Sequence, residues 1–558
     1  MFAGSLAAPD ARAPRPLPRA ALLGFAALLA ALFVLNFALT FHNVWPTLWI
    51  TTRHELSIEI AVLMLAMALY ARGGAAVPGR ALTALAGVLT VLTIGRYAEV
   101  TAPALYGRAV NLYWDAQYLP NVAAMLGEVA NPLLVAALIG ACVLLVCAIY
   151  LALRWSLGCV AANLADRRRR RLVGGLAGAL VAVYALGHTS FPLRTLALYS
   201  LPVTHTYWQQ ARFIAAAAGG AATVRVPAGE PLGSFELPRL AGADVVVHFV
   251  ESYGATAFDA PPVAAALAPS RAELAAALAA TGRLAASAFV ESPTFGGASW
   301  LAHSSFMTGL DIREGAVYDL LLTQKRTTLA TRFAALGYRP VALMPGLRNE
   351  WPEGAFYGFS EIYGARMLDY RGPEFGWWRI PDQYALARLA ELELELETRP
   401  PLFVFFPTIS THMPFRPVPP YQPDWTRLLS PEPFTAAQLA GRERLPDWMN
   451  LRPAYAETLV YTYSYLSGFF RAHGDRDLLW IVIGDHQPAA SVSGPGARAD
   501  VPVHVITRDA EVVSALLARG FTAGLTPKDA ALGPMHALPG ILLDALAAPG
   551  GGPRPRLD

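Results

Sequence analysis

The segment Leu478–Pro488 reads LLWIVIGDHQP, an apolar run that ends in Gly484, Asp485 and His486. A run rich in Ile, Val and Trp predicts a buried strand of an α/β sheet. The acid–imidazole pair then falls just past the carboxyl end of that strand, where open α/β sheets bind their ligands. A hard carboxylate oxygen beside an imidazole nitrogen suits a divalent transition metal. Taken alone, the same pair also fits a polar turn in which Asp485 caps a helix.

Four further stretches could carry chemistry. Glu251 directly follows the apolar segment Ala243–Val250. A carboxylate at the end of a buried strand needs a partner, because an unpaired buried charge is costly; a helix cap or a salt bridge would serve as well. In Glu291–Gly309, Gly296 and Gly297 allow a tight turn and Ser299 stands where a helix could begin. A hydroxyl at a helix amino terminus is well placed to meet an anionic phosphate, although simple capping is the alternative. Coordinated to a metal, such a hydroxyl becomes a nucleophile without an adjacent histidine base. Metal-bound water shows the scale, its pKa falling from 15.7 to about 7. His412, within Phe405–Phe415, follows another strand and could donate to a phosphoryl oxygen or protonate a leaving group. In Met344–Phe359, Arg348 can hold a phosphate and Trp351 can wall a pocket.

The elements that must position these groups alternate. Strands are expected at Ala243–Val250, Leu284–Val290, Arg339–Met344, Leu402–Pro407, Leu478–Gly484 and Val501–Ile506. Helices are expected at Arg271–Thr281, Lys325–Leu336, Tyr455–Ala472 and Ala510–Arg519. This alternation predicts a mainly parallel sheet sandwiched by helices, with residues 243–558 as the α/β domain.

The preceding half has a different texture. Of 558 residues, 54% are hydrophobic and only 15% charged, which marks a membrane protein with a soluble part. The net charge of +3, with arginines gathered beside apolar runs, gives nucleic-acid binding no support. Residues 1–19 are Pro- and Arg-rich and read as a disordered cytosolic segment. Apolar runs at about 20–41, 58–71, 81–96, 132–153 and 172–188 predict five membrane helices within 20–190. Arg12, Arg15, Arg19, Arg72, Arg80, Arg154 and the run Arg167–Arg171 fall on one side of that bundle. The positive-inside rule then places the amino terminus in the cytoplasm and the α/β domain outside, on an inner membrane.

The Thr101–Asn131 loop, with Tyr106, Tyr113, Trp114 and Tyr118, favours the headgroup layer. Residues 191–242 read as an interfacial helix around His205–Ala218 and a Pro/Gly linker. Cys142, Cys147 and Cys159 all precede residue 160, so the α/β domain can hold no disulfide.

The order of these motifs carries a family resemblance. A strand leading to Glu251-Ser252, a Gly-rich turn with a hydroxyl, then Thr411-His412-Met413-Pro414-Phe415 and Gly484-Asp485-His486 resembles the sulfatase-like branch of the alkaline phosphatase superfamily. With five membrane helices in front, it is most similar to the lipoteichoic acid synthases and related phosphoglycerol transferases. The resemblance implies one divalent metal ion, manganese before magnesium or zinc, held by Glu251, Ser299, Asp485 and His486. It makes Ser299 the nucleophile, His412 a substrate-binding histidine and Trp351 a headgroup-pocket residue. Those enzymes usually have threonine at the Ser299 position and an arginine shortly after the tryptophan. Here Pro352-Glu353 follow Trp351, and Arg348 is the available substitute.

Ser299-Trp300-Leu301-Ala302-His303 lacks the proline and arginine of the classical sulfatase signature, so sulfate ester hydrolysis is not expected. The implied activity is transfer of a phosphoglycerol-type headgroup from a membrane phospholipid to a glycan or lipid acceptor through a phospho-serine. The alternatives are phosphoethanolamine transfer, a phosphodiesterase or sulfatase-like hydrolase, and a binding protein that has lost catalysis. His303 and His504 are candidates for a second metal, each read as structural.

Overall fold

The structure, a computed structural model, describes residues 19–44, 47–106, 110–117, 119, 123, 132–189, 198–218, 225–228, 232, 236–240, 242–348, 351–376, 379–442, 444–528 and 530–547. The chain divides into two compact units, one of residues 1–44, 49–100 and 130–215, the other of 45–48, 101–129 and 216–558.

The first unit contains α1 (Arg19–Thr40), α2 (Ile58–Tyr70), α3 (Gly79–Tyr106), α4 (Pro132–Leu164), α5 (Arg167–Thr189) and α6 (Val203–Ala218). Leu28, Leu35, Met64, Leu82, Leu157 and Val173 meet in its core. Outward faces are just as apolar: Leu133 is 79% exposed and Leu144 72%. Rows of exposed leucines are unfavourable in water and natural against lipid tails. Leu23–Thr40, Gly79–Leu105, Pro132–Leu164 and Arg167–Gly187 are long and apolar enough to cross a membrane.

Several boundaries differ from expectation. At 13 residues, α2 is short of a full span. Its amino terminus is capped by Ser57, and Glu59 accepts hydrogen bonds from Ser57 and Thr204. Helix α4 continues eleven residues past Leu153, because a helical backbone tolerates Arg154 where an apolar pattern stops. Helix α5 starts inside the arginine run rather than after it. Arg19 already belongs to α1, and the residues before it lie outside those described. So do Tyr118, the side chains of Tyr106 and Trp114, and residues 224, 229–231, 233–235 and 241 of the linker.

The second unit is built on a nine-stranded sheet. Its strands are β1 (Asp244–Val250), β2 (Leu284–Glu291), β3 (Arg339–Leu343), β4 (Glu361–Tyr363), β5 (Leu402–Pro407), β6 (Leu478–Gly484), β7 (Asp500–Thr507), β8 (Thr522–Ala523) and β9 (Ala531–Pro534). The spatial order is β8-β2-β7-β6-β1-β5-β3-β4, with β9 beside β2. From β6 through β1, β5, β3 and β4 all pairings are parallel, while β7 is antiparallel to both β2 and β6. The mainly parallel α/β class read from sequence is therefore present, with β7 and the two-residue β8 inverted.

Alternation along the central strands feeds two cores. Val246 and Val250 of β1, with Trp480 and Val482 of β6, face one layer. Val245, Val247 and Phe249, with Leu479, Ile481 and Ile483, face the other. A period of two on a sheet buried on both faces produces this split. Helices α7 (Pro261–Ala280) and α9 (Arg452–Ala472) cover the first face. Helices α8 (Ser299–Thr308) and α10 (Leu538–Leu546) cover the second. Helix α7 is also apolar and long enough for a membrane span. Its Val263, Leu267, Leu274 and Leu278 are instead buried on the sheet with residues of α9.

Candidate functional site

Register sets the first pair of groups. Val250 lies opposite Gly484 in the parallel β1–β6 ladder, so both strands release their next residues, Glu251 and Asp485, at the same edge. Two glycines make this close approach possible. A Cβ on Gly484 would stand 1.8 Å from the Tyr253 carbonyl oxygen, and one on Gly254 would stand 1.9 Å from Gln487 Oε1. Ser252 turns the chain at φ 59°, and its amide donates to Asp485 Oδ1 at 2.8 Å.

The turn before α8 is fastened to the segment after β6. Gly296 N–H donates to the Gln487 carbonyl at 3.0 Å, and Ser292 Oγ to the Asp485 carbonyl at 2.6 Å. Gly296, Gly297 and Ala298 all have positive φ, so this turn needs its glycines. Ser299 is thereby delivered as the first residue of α8. Its Oγ donates to Glu251 Oε2 at 2.9 Å and lies 3.2 Å from His486 Nε2. His486 Nε2 is also 3.3 Å from Glu251 Oε1 and 3.8 Å from Asp485 Oδ2.

Glu251, Asp485 and His486 each offer one ligand atom, and these lie within 4.8 Å of one another. All three residues are buried. Asp485 Oδ1 accepts from the amides of Ser252 and His486, while Asp485 Oδ2 is buried with no hydrogen-bond partner. His486 Nδ1–H donates to the Gln487 carbonyl at 2.8 Å, which leaves Nε2 to act as a base or ligand. A buried acceptor without a donor, beside a second carboxylate and an oriented imidazole, fits a divalent cation.

The electrostatics agree. Burial and the charge of Glu251 push the Asp485 carboxyl well above its usual range. Burial also acts to raise Glu251, but His486 overcomes it and holds that carboxyl well below its usual range. Burial works against the His486 cation, yet Asp485 and Glu251 raise it to about 9. Two carboxylates this close cannot both stay charged without positive charge between them.

His412 follows β5, with Nδ1 2.7 Å from the Met413 carbonyl, and its charge acts on Glu251. Arg348 lines a separate cavity beyond β3. Trp351 stacks on Tyr357, with ring centroids 5.5 Å apart, and packs against the second core. The structure thus gathers Glu251, Ser299, Asp485 and His486 into one cluster with His412 nearby. Arg348 and Trp351 stand in other surroundings. His504 lies in a buried chain, bonded to Ser287 and Tyr253, away from that cluster. His303 is half-buried and packs on Phe249 with its Nε2 out of solvent, and desolvation pushes its imidazole down to about 3.

Sequence reasoning missed Asp382. Its buried carboxylate accepts from the amides of Ile409 and Ser410, both at 2.9 Å, and so holds the loop that carries His412. Thr408 Oγ1 accepts from the Glu251 amide at 3.1 Å. Neither role has a local signature, because each depends on partners far off in sequence.

Fold and site together define a membrane-anchored α/β protein with a candidate metal centre beside a serine hydroxyl. No protein-family model matches the sequence, and no curated protein matches it. Solved structures do. The integral membrane lipooligosaccharide phosphoethanolamine transferase A of Neisseria meningitidis is 14% identical, with 87% of this chain and 88% of that chain covered and a TM-score of 0.42. The phosphoglycerol transferase of Streptococcus pyogenes, solved with sn-glycerol-1-phosphate, is 13% identical over 55% of this chain and 86% of its own, TM-score 0.33. An alkaline phosphatase superfamily protein from Vibrio parahaemolyticus is 19% identical over 48% of this chain, TM-score 0.33. The chain spans 60% of the length of that last protein.

Proposed function

We propose that the protein is a metal-dependent phosphotransferase of the sulfatase-like kind that moves a phosphoglycerol-type headgroup from a membrane phospholipid to an acceptor hydroxyl. The observation that carries this reading is the cluster itself: Ser299 Oγ is 2.9 Å from Glu251 and 3.2 Å from His486, at a helix amino terminus. A divalent cation, manganese by preference, held by Glu251, Asp485 and His486 would acidify the serine hydroxyl and offset phosphoryl charge.

Ser299 Oγ passes its proton to Glu251 Oε2, to which it already donates, and attacks the headgroup phosphorus while the bond to the diacylglycerol oxygen breaks. His412 gives that oxygen a proton, and diacylglycerol leaves a phospho-serine behind. The positive end of the α8 dipole favours the anionic phosphoryl group. His412 then takes the proton of the acceptor hydroxyl, whose oxygen displaces Ser299 as the serine recovers its proton from Glu251. In this reading residues 20–190 anchor the enzyme in the inner membrane, with the amino terminus cytoplasmic and 243–558 outside as the catalytic domain.

Thin-layer analysis of products from labelled phosphatidylglycerol and phosphatidylethanolamine tests the proposal. Diacylglycerol should form from phosphatidylglycerol, and Ser299→Ala should lower its rate at least ~1000-fold while Ser299→Thr stays within about tenfold. Release from phosphatidylethanolamine alone would replace the donor. Undiminished activity in Ser299→Ala would remove the mechanism.

A further inference from the structure

A strongly basic cavity lies outside the metal and nucleophile cluster. It measures about 460 Å³ and is lined by Arg348, Arg366, Arg371 and Arg379, with Tyr370 and Glu374. Arg348 follows β3 and Arg366 follows β4, so the cavity sits at the carboxyl ends of the parallel strands, the edge that also releases Glu251 and Asp485. None of Glu251, Ser299, His412, Asp485 or His486 lines it.

Among the described residues, four arginines line the cavity with one carboxylate, Glu374, which pairs with Arg379 at 3.4 Å. Arg371 pairs with Asp369 at 2.7 Å. Arg366 pairs with no carboxylate among the described residues. Like charges gathered around one hollow repel, and a bound anion relieves that repulsion. Guanidinium forks match phosphate oxygens in pairs, which makes phosphate the best-fitting anion. The volume suits a small-molecule group.

Segments that line the cavity run on, within two residues, to contacts with the loop that carries His412. A Cβ at Gly346, two residues before Arg348, would lie 3.2 Å from Ile409, whose amide Asp382 holds. Ile380, another lining residue, precedes Asp382 by two positions. A ligand there would sit beside the loop that presents His412.

A phospholipid donor of this type brings one phosphate, and that phosphate belongs at Ser299. A second anion compartment therefore answers to a second molecule. We infer that the arginine cavity binds a phosphate-bearing group of the acceptor, carried on a lipid or on a glycan. The acceptor assignment rests on the transferase reading; the anion binding does not.

Calorimetric titration of the full chain in detergent, with pyrophosphate as probe and chelator present to keep metal out, tests the compartment. Pyrophosphate should bind, Arg366→Glu should weaken it at least about tenfold, and Arg519→Glu, in an exposed turn that does not line the cavity, should leave it unchanged. Binding should persist in Ser299→Ala. Equal weakening by Arg519→Glu, no effect of Arg366→Glu, or no binding by the wild-type chain would overturn the inference. Phosphatidic acid added to the micelles separates the sources: it displaces pyrophosphate if the anion is lipid-borne and fails to if the phosphate is glycan-borne. A failed transferase assay with intact pyrophosphate binding would remove the enzyme reading and leave the compartment standing.

Discussion

Asp485 carries an acceptor oxygen with no donor, and that asymmetry has a measurable sign. In Asp485→Asn the amide can replace the carboxylate and end the repulsion with Glu251, so the metal-free variant should be as stable as the wild type or more so. Saturating manganese should raise the wild-type melting temperature, by about 2.7 kcal/mol of stabilisation at a hundredfold excess over Kd, and this increment should vanish in the variant. Thermal unfolding with and without metal reads both effects. The ligand candidates were legible in sequence because strand ends announce themselves: an apolar run stops and a chemically capable residue follows. Asp382 was not legible, since a carboxylate after Pro381 looks like an ordinary helix start. Only the folded chain brings it to Ile409 and Ser410, 27 and 28 residues later.

Elements transmit such contacts over distance. Burial raises Asp382 from 3.8 to about 6, so the folded chain holds its proton more tightly than the unfolded chain does. Its contribution therefore favours the fold at pH below 3.8 and is lost as pH climbs to about 6. Asp382→Asn should flatten that segment of the stability profile, a change of up to about 3 kcal/mol across the window, read as wild type minus variant by thermal unfolding. Where β1 and β6 meet, Gly484→Ala would thrust a methyl group into the Tyr253 carbonyl. We expect a loss of at least ~3 kcal/mol, seen as a lowered melting temperature.

The six longer strands were readable, Leu402–Pro407 at both ends, whereas the short β4, β8 and β9 were not, and neither was direction: β7 reads like its neighbours yet runs against them. Helix α7 begins ten residues ahead of the expected Arg271. Pro261 and Pro262 occupy its first turn, where proline is tolerated, while the internal Pro269 reads in sequence as a break. The expected Lys325–Leu336 helix shortens to Leu329–Ala335 because Thr328 caps it.

At the scale of the whole molecule, apolarity alone does not separate the two units. Helix α7 and the helices of the first unit look alike in composition, and the difference lies in what they bury. One further property does divide the chain: every thiol sits in α4, and the second unit has none. Its melting transition should be the same with or without dithiothreitol, and a reductant-induced shift would show that oxidation matters to it. Such a domain folds alike in reducing and oxidising surroundings, owing nothing to crosslinking machinery. It also offers a clean chemical handle, because one cysteine introduced there would be the sole sulfhydryl of that unit for a probe to find.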